Sequence, residues 1–444
     1  MAVEKQQSYQ TLPTEVDRAA ANAPTTLAEH VSSEAIPDGQ VDLDRAVPRR
    51  RPLVLWLTSG SHAVDHFQQQ TVAVLYPAIM AELGFGYAQL GVLTAIRTLL
   101  GSGCQVIYGF LVPFFRRTRL LAAGNLISWL GGMLTGLAGS YGALIGARVL
   151  FSAGSSAQHP IGSTLLASSY AKNRGTVLAL NSSIAGIGSL LAPIVAGLLL
   201  ALLNWRQIFM LVALASLGAG LACLLLPDRG RTSDRRPRAA RARLAQGKAS
   251  YLRVLRNRNM LVVSSVMMVG AAGRGDGVNQ TYLGPHLMND LLLPAAVAGI
   301  ALSALMLGNI GGSIGLGWLS DRLGRIRVMQ ASLLLSALTT WWLAYQGADL
   351  SILLVNLLVY GAVTGSRNAL TQALIADSLH EDRDAAFSTY YFLGFISTPI
   401  WALVTGFIME SAGFSAAFSV LGFSYLAGML LLFLLEDTRA TANP

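Results

Sequence analysis

Residues 317–327 read Gly317-Trp318-Leu319-Ser320-Asp321-Arg322-Leu323-Gly324-Arg325-Ile326-Arg327. Apolar runs lead into this stretch (294–318) and out of it (328–347). The stretch therefore reads as a tight polar turn between two membrane-crossing helices. Gly317 permits close helix contact, Asp321 can cap a helix start and pair with a basic residue, and Gly324 can turn the chain. Arg325 and Arg327 belong in water at the membrane face. Charge pairs of this kind latch one conformation and release in another. The expected latch is Gly317, Asp321, Arg322, Gly324, Arg325 and Arg327.

The turn has an earlier, altered copy. Gly109-Phe-Leu-Val-Pro113-Phe-Phe-Arg116-Arg117-Thr-Arg119 starts 208 residues before Gly317, with Pro113 where the later copy has Asp321. Gly91 and Gly299 are also 208 apart, and Arg174 and Arg383 are 209 apart. One offset near half the chain length, holding at three landmarks, implies duplication. The two halves would be related by an axis along the membrane normal, with a solute path between them near the midplane.

Composition agrees with membrane-spanning helices. The chain has 444 residues, 53% hydrophobic and 12% charged, where soluble domains carry about 25% charged residues. Apolar segments run approximately 53–80, 88–112, 119–138, 141–168, 175–200 and 205–227, then 257–288, 294–318, 328–347, 350–376, 385–409 and 415–435. Each can cross ~30 Å of hydrocarbon as a helix. The expected fold is an all-α membrane protein with twelve transmembrane helices in two pseudo-symmetric six-helix bundles. Its expected parts are a disordered tail (1–51), a first bundle (52–227), a linker (228–256), a second bundle (257–436) and a short tail (437–444).

The +9 net charge is spread over alternate loops. Arg116, Arg117, Arg119, Lys172, Arg174, the 228–256 stretch, Arg322, Arg325, Arg327 and Arg383 share one side. The opposite loops carry almost no basic residue except Arg206. Both termini are then expected in the cytoplasm of a multi-pass inner-membrane protein. Cys104 and Cys223 lie in apolar runs and read as packing residues.

The 317–327 loop resembles the loop signature of the major facilitator superfamily. That family usually has its better copy in the first half, so Pro113 departs from the pattern. In the fifth span, Gly186-Ile-Gly188-Ser-Leu-Leu-Ala192-Pro193-Ile-Val-Ala196-Gly197 resembles a degraded exporter signature, in which Gly188, Pro193 and Gly197 serve packing and kinking. Two further stretches, His62-Ala-Val-Asp65-His66-Phe with Tyr76-Pro77 and Gly154-Ser-Ser-Ala-Gln158-His159-Pro160, resemble the fosmidomycin-resistance branch. The superfamily resemblance covers about 53–435 and the branch resemblance is strongest over about 60–200. It implies a proton-driven exporter of small toxic compounds.

An ionisable residue within a span is a functional candidate by default. Asp65 is deep in the first span, and His62 faces with it and with His66 through helical spacing. The seventh span carries Gly270-Ala-Ala-Gly273-Arg274-Gly275-Asp276-Gly277, whose glycines weaken a helix. Proton-coupling candidates are Asp65, His62, His66 and Asp276. Substrate-binding candidates are Arg97, Gln158, His159, Arg274, Arg367 and Asn368; the last two lie 209 residues beyond Gln158 and His159. Arg148 is placed nearer the outer face, to snorkel or pack. An excess of deep Arg over deep Asp points to an anionic or amphipathic solute.

No phosphate-cradling loop and no metal-ligand spacing is present in the sequence. No metal, cofactor or nucleic-acid partner is expected, and no enzymatic activity. The expected partners are a small-molecule substrate, protons and the lipid bilayer, and the chain is expected to be a monomer. The function this supports is proton-coupled efflux by alternating access. The alternatives are an uptake symporter or uniporter for an organic acid, sugar or other metabolite, and a non-transporting sensor or scaffold.

Overall fold

The computed structural model describes residues 51–112, 114–170, 173–226, 252–269, 277–378 and 383–435. The expected terminal tails, Pro113, Lys172, most of the linker, Arg274 and Asp276 lie outside the described residues, as do the side chains of Asn368 and Arg383. Among the described residues there is no β-strand.

The first half holds α1 (Arg51–Leu83), α2 (Tyr87–Leu111), α3 (Arg117–Gly136), α4 (Tyr141–Ser155), α5 (Ser163–Ser169), α6 (Arg174–Leu199) and α7 (Trp205–Leu224). A π turn, Gln158–Gly162, joins α4 to α5, so the two make one span with Pro160 at the distortion. The second half holds α8 (Arg258–Val269), α9 (Gly277–Pro285), α10 (Ala295–Leu323), α11 (Arg325–Tyr345), α12 (Leu350–Ser378) and α13 (Arg383–Leu431). The stretches α8 and α9 fall within one span, the seventh. The run α13 is two spans, because Gly413 breaks it at φ 80°, ψ 178°. A side chain at that φ would clash with its own backbone. Each half therefore has six spans.

Local chemistry sets where the spans begin. Ser140 accepts a hydrogen bond from the Ala143 N–H at 3.2 Å, and Asn204 and Gln207 form a reciprocal capping box at 3.0 and 3.1 Å. Gly324, at φ 98°, separates α10 from α11 with no side-chain cap. This corrects one expectation: Asp321 does not cap a helix start. It sits in the last turn of α10 and pairs with Arg325 across the turn at 2.9 Å.

The two bundles repeat the same helix pairings. Spans one and five pack together, as do three and six, and two and four. Their counterparts, seven with eleven, nine with twelve, and eight with ten, do likewise. Among the described residues three seams join the bundles: span two against eleven, span five against eight, and span one against seven, where a Cβ on Gly284 would strike the Ala73 carbonyl. The second seam closes at Gly197 and Gly299: a Cβ on Gly197 would strike the Ala295 carbonyl, and one on Gly299 the Pro193 carbonyl. Ser303 also donates to the Leu190 carbonyl at 2.8 Å. Gly188 lies against the Ala63 carbonyl within the first bundle.

The bundles meet at the end opposite the Arg-rich loops. The larger core joins residues of both halves, and its first-half members, such as Leu75, Ile79, Leu90 and Trp205, all lie toward that end. At the Arg-rich end, a separate core of Val54, Tyr108, Leu120, Leu165, Val177 and Leu226 holds first-half residues alone. At the joined end, Glu410 of span eleven accepts from the Tyr87 N–H at 2.6 Å and the Ala88 N–H at 3.4 Å. It thereby meets the N-terminus of α2 on the other bundle. Arg206, the basic exception among these loops, pairs with Glu82 at 2.8 Å and donates to the carbonyls of Gly136 and Ala138. Its charge is neutralised within the first bundle, so it does not disturb the loop asymmetry.

Candidate functional site

A cavity of about 330 Å³ lies between the bundles. Its first-half wall comes from span one (Gln69, Gln70, Val72, Ala73, Tyr76), span two (Arg97, Thr98, Gly101, Ser102, Gln105) and span four (Ser152, Ser155, Ser156, His159). The second half contributes Gln280 and Thr281 of α9 and Thr398 of span eleven. Among the described residues of the lining, amides and hydroxyls dominate, with one guanidinium, Arg97. The Arg97 side chain is half-buried and its Nε has no hydrogen-bond partner. Several hydroxyls bond to their own helix, as Ser156 does to the Ser152 carbonyl at 2.5 Å and Ser102 to the Thr98 carbonyl at 2.8 Å. The backbone thus satisfies their donors, while their oxygens stay able to accept.

Asp65 sits one side chain behind this wall. It is 2% exposed. The Gln69 amide donates to Asp65 Oδ2 at 2.9 Å and to Ser155 Oγ at 3.0 Å, while Asp65 Oδ1 has no partner. Gln69 and Ser155 both line the cavity, so the carboxylate is one rotamer change from it. A buried carboxylate oxygen without a donor is costly unless it binds a proton or another cation.

Three imidazoles gather beside it. The ring centroids of His62 and His66 are 4.8 Å apart, those of His62 and His159 5.1 Å, and those of His66 and His159 6.0 Å. His62 and His66 are one turn apart on α1, and the π turn of span four brings in His159. His66 Nδ1 bonds Ser189 Oγ of span five at 3.0 Å. Gln158 points away from the cavity: its amide donates to Ser61, which donates in turn to Asn125 at 3.0 Å. That chain ties the π turn to spans one and three.

The deep arginines divide. Arg97 faces the cavity, but Arg367 does not line it. Arg367 is buried in the second bundle, with its guanidinium 4.6 Å from the Tyr425 ring centroid and its Nε donating to the Thr364 carbonyl at 3.1 Å. Of the two expectations for Arg148, to snorkel or to pack, the side chain takes the packed one. It is 1% exposed, stacked on Phe151 at 4.5 Å, with Nε and one Nη lacking partners. At the Arg-rich end, Arg322 covers the Trp318 ring at 3.8 Å, and Arg327 is exposed. Pro193 lies inside α6, where it removes the hydrogen bond to the Ser189 carbonyl.

Sequence reasoning missed Gln69, Gln105, Ser155, Gln280, Thr281 and Thr398. The run Gln68-Gln69-Gln70 next to Asp65 was the available signal. The serines and threonines gave none, since their hydroxyls are satisfied by helix backbone anywhere in a span.

Two pseudo-symmetric bundles closed at one end, with a polar cavity on their shared axis, define a membrane transporter. The chain belongs to the Major Facilitator Superfamily, whose family model matches residues 58–278 and 273–444. The fosmidomycin resistance protein of Escherichia coli (strain K12) is 25% identical over 390 residues, covering 86% of this chain and 93% of that protein. A probable 4-methylmuconolactone transporter of Cupriavidus pinatubonensis is 26% identical over 287 residues, covering 64% and 66%. A crystal structure of a bacterial homologue of the human lysosomal transporter Spinster, inward-facing and unoccupied, superposes with a TM-score of 0.71 at 15% identity, covering 87% and 95%. That likeness is one of fold alone.

Proposed function

We propose that this chain exports a small anionic or amphipathic compound across the plasma (inner) membrane by alternating access, driven by the proton gradient. The observation that carries the reading is the placement of Arg97 in the cavity wall and of Asp65 one side chain behind that wall. Arg97 supplies an unpartnered cation facing the solute space. Asp65 supplies a buried carboxylate whose proton occupancy can change when Gln69 swings. A proton arriving from outside would release solute there, and its departure inside would restore the binding state, provided protonation favours one conformation over the other. The bundles 52–227 and 257–436 are the two moving bodies, with 228–256 as their cytoplasmic linker and both termini in the cytoplasm. Arg274 and Asp276 are assigned to the same cavity from the second half, and the loop Gly317–Arg327 to the latch at the cytoplasmic end. The chain acts as a monomer.

Export is favoured by the similarity to a resistance protein over most of both chains. Uptake of an organic acid, sugar or other metabolite is the second reading, and the similarity to a transporter named for an organic lactone bears on its solute class. Purified protein in liposomes with an imposed pH gradient separates them. Export predicts that solute moves against the proton flow, and that Arg97→Gln lowers transport of anionic solutes more than neutral ones. Solute moving with the protons would establish uptake instead, and equal loss for all solutes would remove Arg97 from recognition.

A further inference from the structure

The sequence offers only the pair His62 and His66 at i, i+4 spacing, because His159 lies 93 residues beyond His66. The fold removes that separation. We propose that His62, His66 and His159 form a three-imidazole site for one divalent transition-metal ion of the zinc, nickel or cobalt class, with an open coordination position facing the cavity.

Four observations carry this. One nitrogen from each ring can be chosen so that all three lie within 4.8 Å of one another. Ligand nitrogens around a tetrahedral ion at ~2.0–2.1 Å are ~3.3 Å apart, so small side-chain rotations close the set. The rings already stand edge to face, at interplanar angles of 75°, 87° and 88°. This arrangement lets the nitrogens converge and keeps the rings from stacking.

The second observation is the partner of His66. Ser189 Oγ donates to the Ala185 carbonyl at 3.4 Å and meets His66 Nδ1 at 3.0 Å. With its proton directed to that carbonyl, the hydroxyl accepts from Nδ1–H, which leaves the lone pair on His66 Nε2. A ligating histidine held through its other nitrogen is the usual support of a metal site. Third, His62 Nε2 is buried with no hydrogen-bond partner, a cost that coordination would remove. Fourth, His159 rides on a π turn and lines the cavity, so an ion reaches the site from the solute space. Distortions of this kind in helices concentrate at functional sites.

Imidazole nitrogen selects borderline transition metals and discriminates against magnesium and calcium, which require oxygen donors. Three protein ligands leave a fourth position, as in sites that bind an exchangeable group. A solute oxygen could occupy it, which would make the ion part of solute recognition. The metal site itself does not depend on transport direction or on proton coupling.

The test uses the full chain purified in detergent, stripped with chelator, with any histidine tag removed. Titration with Co²⁺ alone is followed by visible d–d absorption and by calorimetry, then by Zn²⁺ displacement. The expected result is one equivalent of Co²⁺ with four-coordinate bands, displaced by Zn²⁺ and unaffected by excess Mg²⁺. His66→Gln and His159→Gln should abolish the bands. Ser189→Ala should weaken binding by about tenfold or more while keeping the stoichiometry. His286→Gln, in a ring stacked on Phe414 and paired with Asp290, should change nothing. Melting temperatures of each variant separate lost binding from lost folding. Absence of a one-to-one complex, or unchanged cobalt spectra in folded His66→Gln and His159→Gln proteins, would overturn the site.

Discussion

Glu410 offers the most direct test of how the outer end is held shut. Its carboxylate meets two N–H groups at the start of α2, at 2.6 and 3.4 Å, and it belongs to the other bundle. The contact can exist only while that end is closed. A carboxylate at a helix N-terminus contributes about 0.3–1 kcal/mol at an exposed position. The hydrogen bond to a charged acceptor adds about 1.5–3 kcal/mol before exposure is discounted. Glu410 is exposed, so about 1 kcal/mol is assigned to losing the charge in Glu410→Gln, and about 2 kcal/mol to losing the acceptor as well in Glu410→Ala. These correspond to shifts of about fivefold and about thirtyfold toward the outward-open state.

Distances between spin labels at Ala81 and Ala412, with Cys104 and Cys223 changed to Ser, would report the populations. The long-distance fraction should rise in the order wild type, Gln, Ala. Glu82→Gln is the control, because Trp205 and Arg206, its partners at 2.5 and 2.8 Å, lie in its own bundle. Identical distance distributions for wild type and Glu410→Ala would refute the latch.

Three further outcomes follow from the geometry. Asp65→Asn should abolish proton-driven accumulation yet leave solute exchange across liposomes within about threefold; loss of exchange as well would make Asp65 a structural residue. Gly299→Leu places a side chain against the Pro193 carbonyl and should force the span five–eight seam apart. Spin labels across that seam should then separate, and an unchanged distance would show that the seam is not packed as described. Gly413→Ala forces alanine to φ 80° and should lower the stability of the folded chain by about 1–2 kcal/mol, read as a shift in the chemical unfolding midpoint.

The sequence made depth along the membrane normal readable, but not azimuth around each helix. Counting ~1.5 Å per residue from a span end placed Asp65 and Arg97 at mid-depth, and both reach the cavity region. The same count placed Arg367 equally deep, yet its side chain turns into the second bundle against Tyr425. Arg148 begins only seven residues past the Tyr141 start of its span, which suggested the outer face, but the interior of the first bundle reaches that level and buries it. Azimuth is obscure because lipid and partner helix are both apolar, so a span has no polar side to mark as outward. Composition has a matching limit. Among the described residues, only six helices are long and apolar enough to be recognised as spans on that basis. The first span fails on hydropathy because its His, Asp and Gln residues face inward, and the fourth because its π turn divides it.

Conspicuous and inconspicuous polar groups also play different parts. Charged residues announce themselves because their cost in lipid is high. The groups that shape the solute space are mostly glutamines, serines and threonines, which cost little within a helix. Gln69 shows why they matter. Its amide is hydrogen-bonded to Asp65 and also binds Ser155 in the cavity wall. A solute that donates to the Gln69 amide oxygen would hold that amide against the carboxylate and favour its ionised form, so that solute binding releases a proton. Gln69→Leu should accordingly leave both solute binding and proton release measurable in isolation while breaking their dependence on each other. If solute addition still drives proton exchange in that variant, the coupling runs by a route other than Gln69.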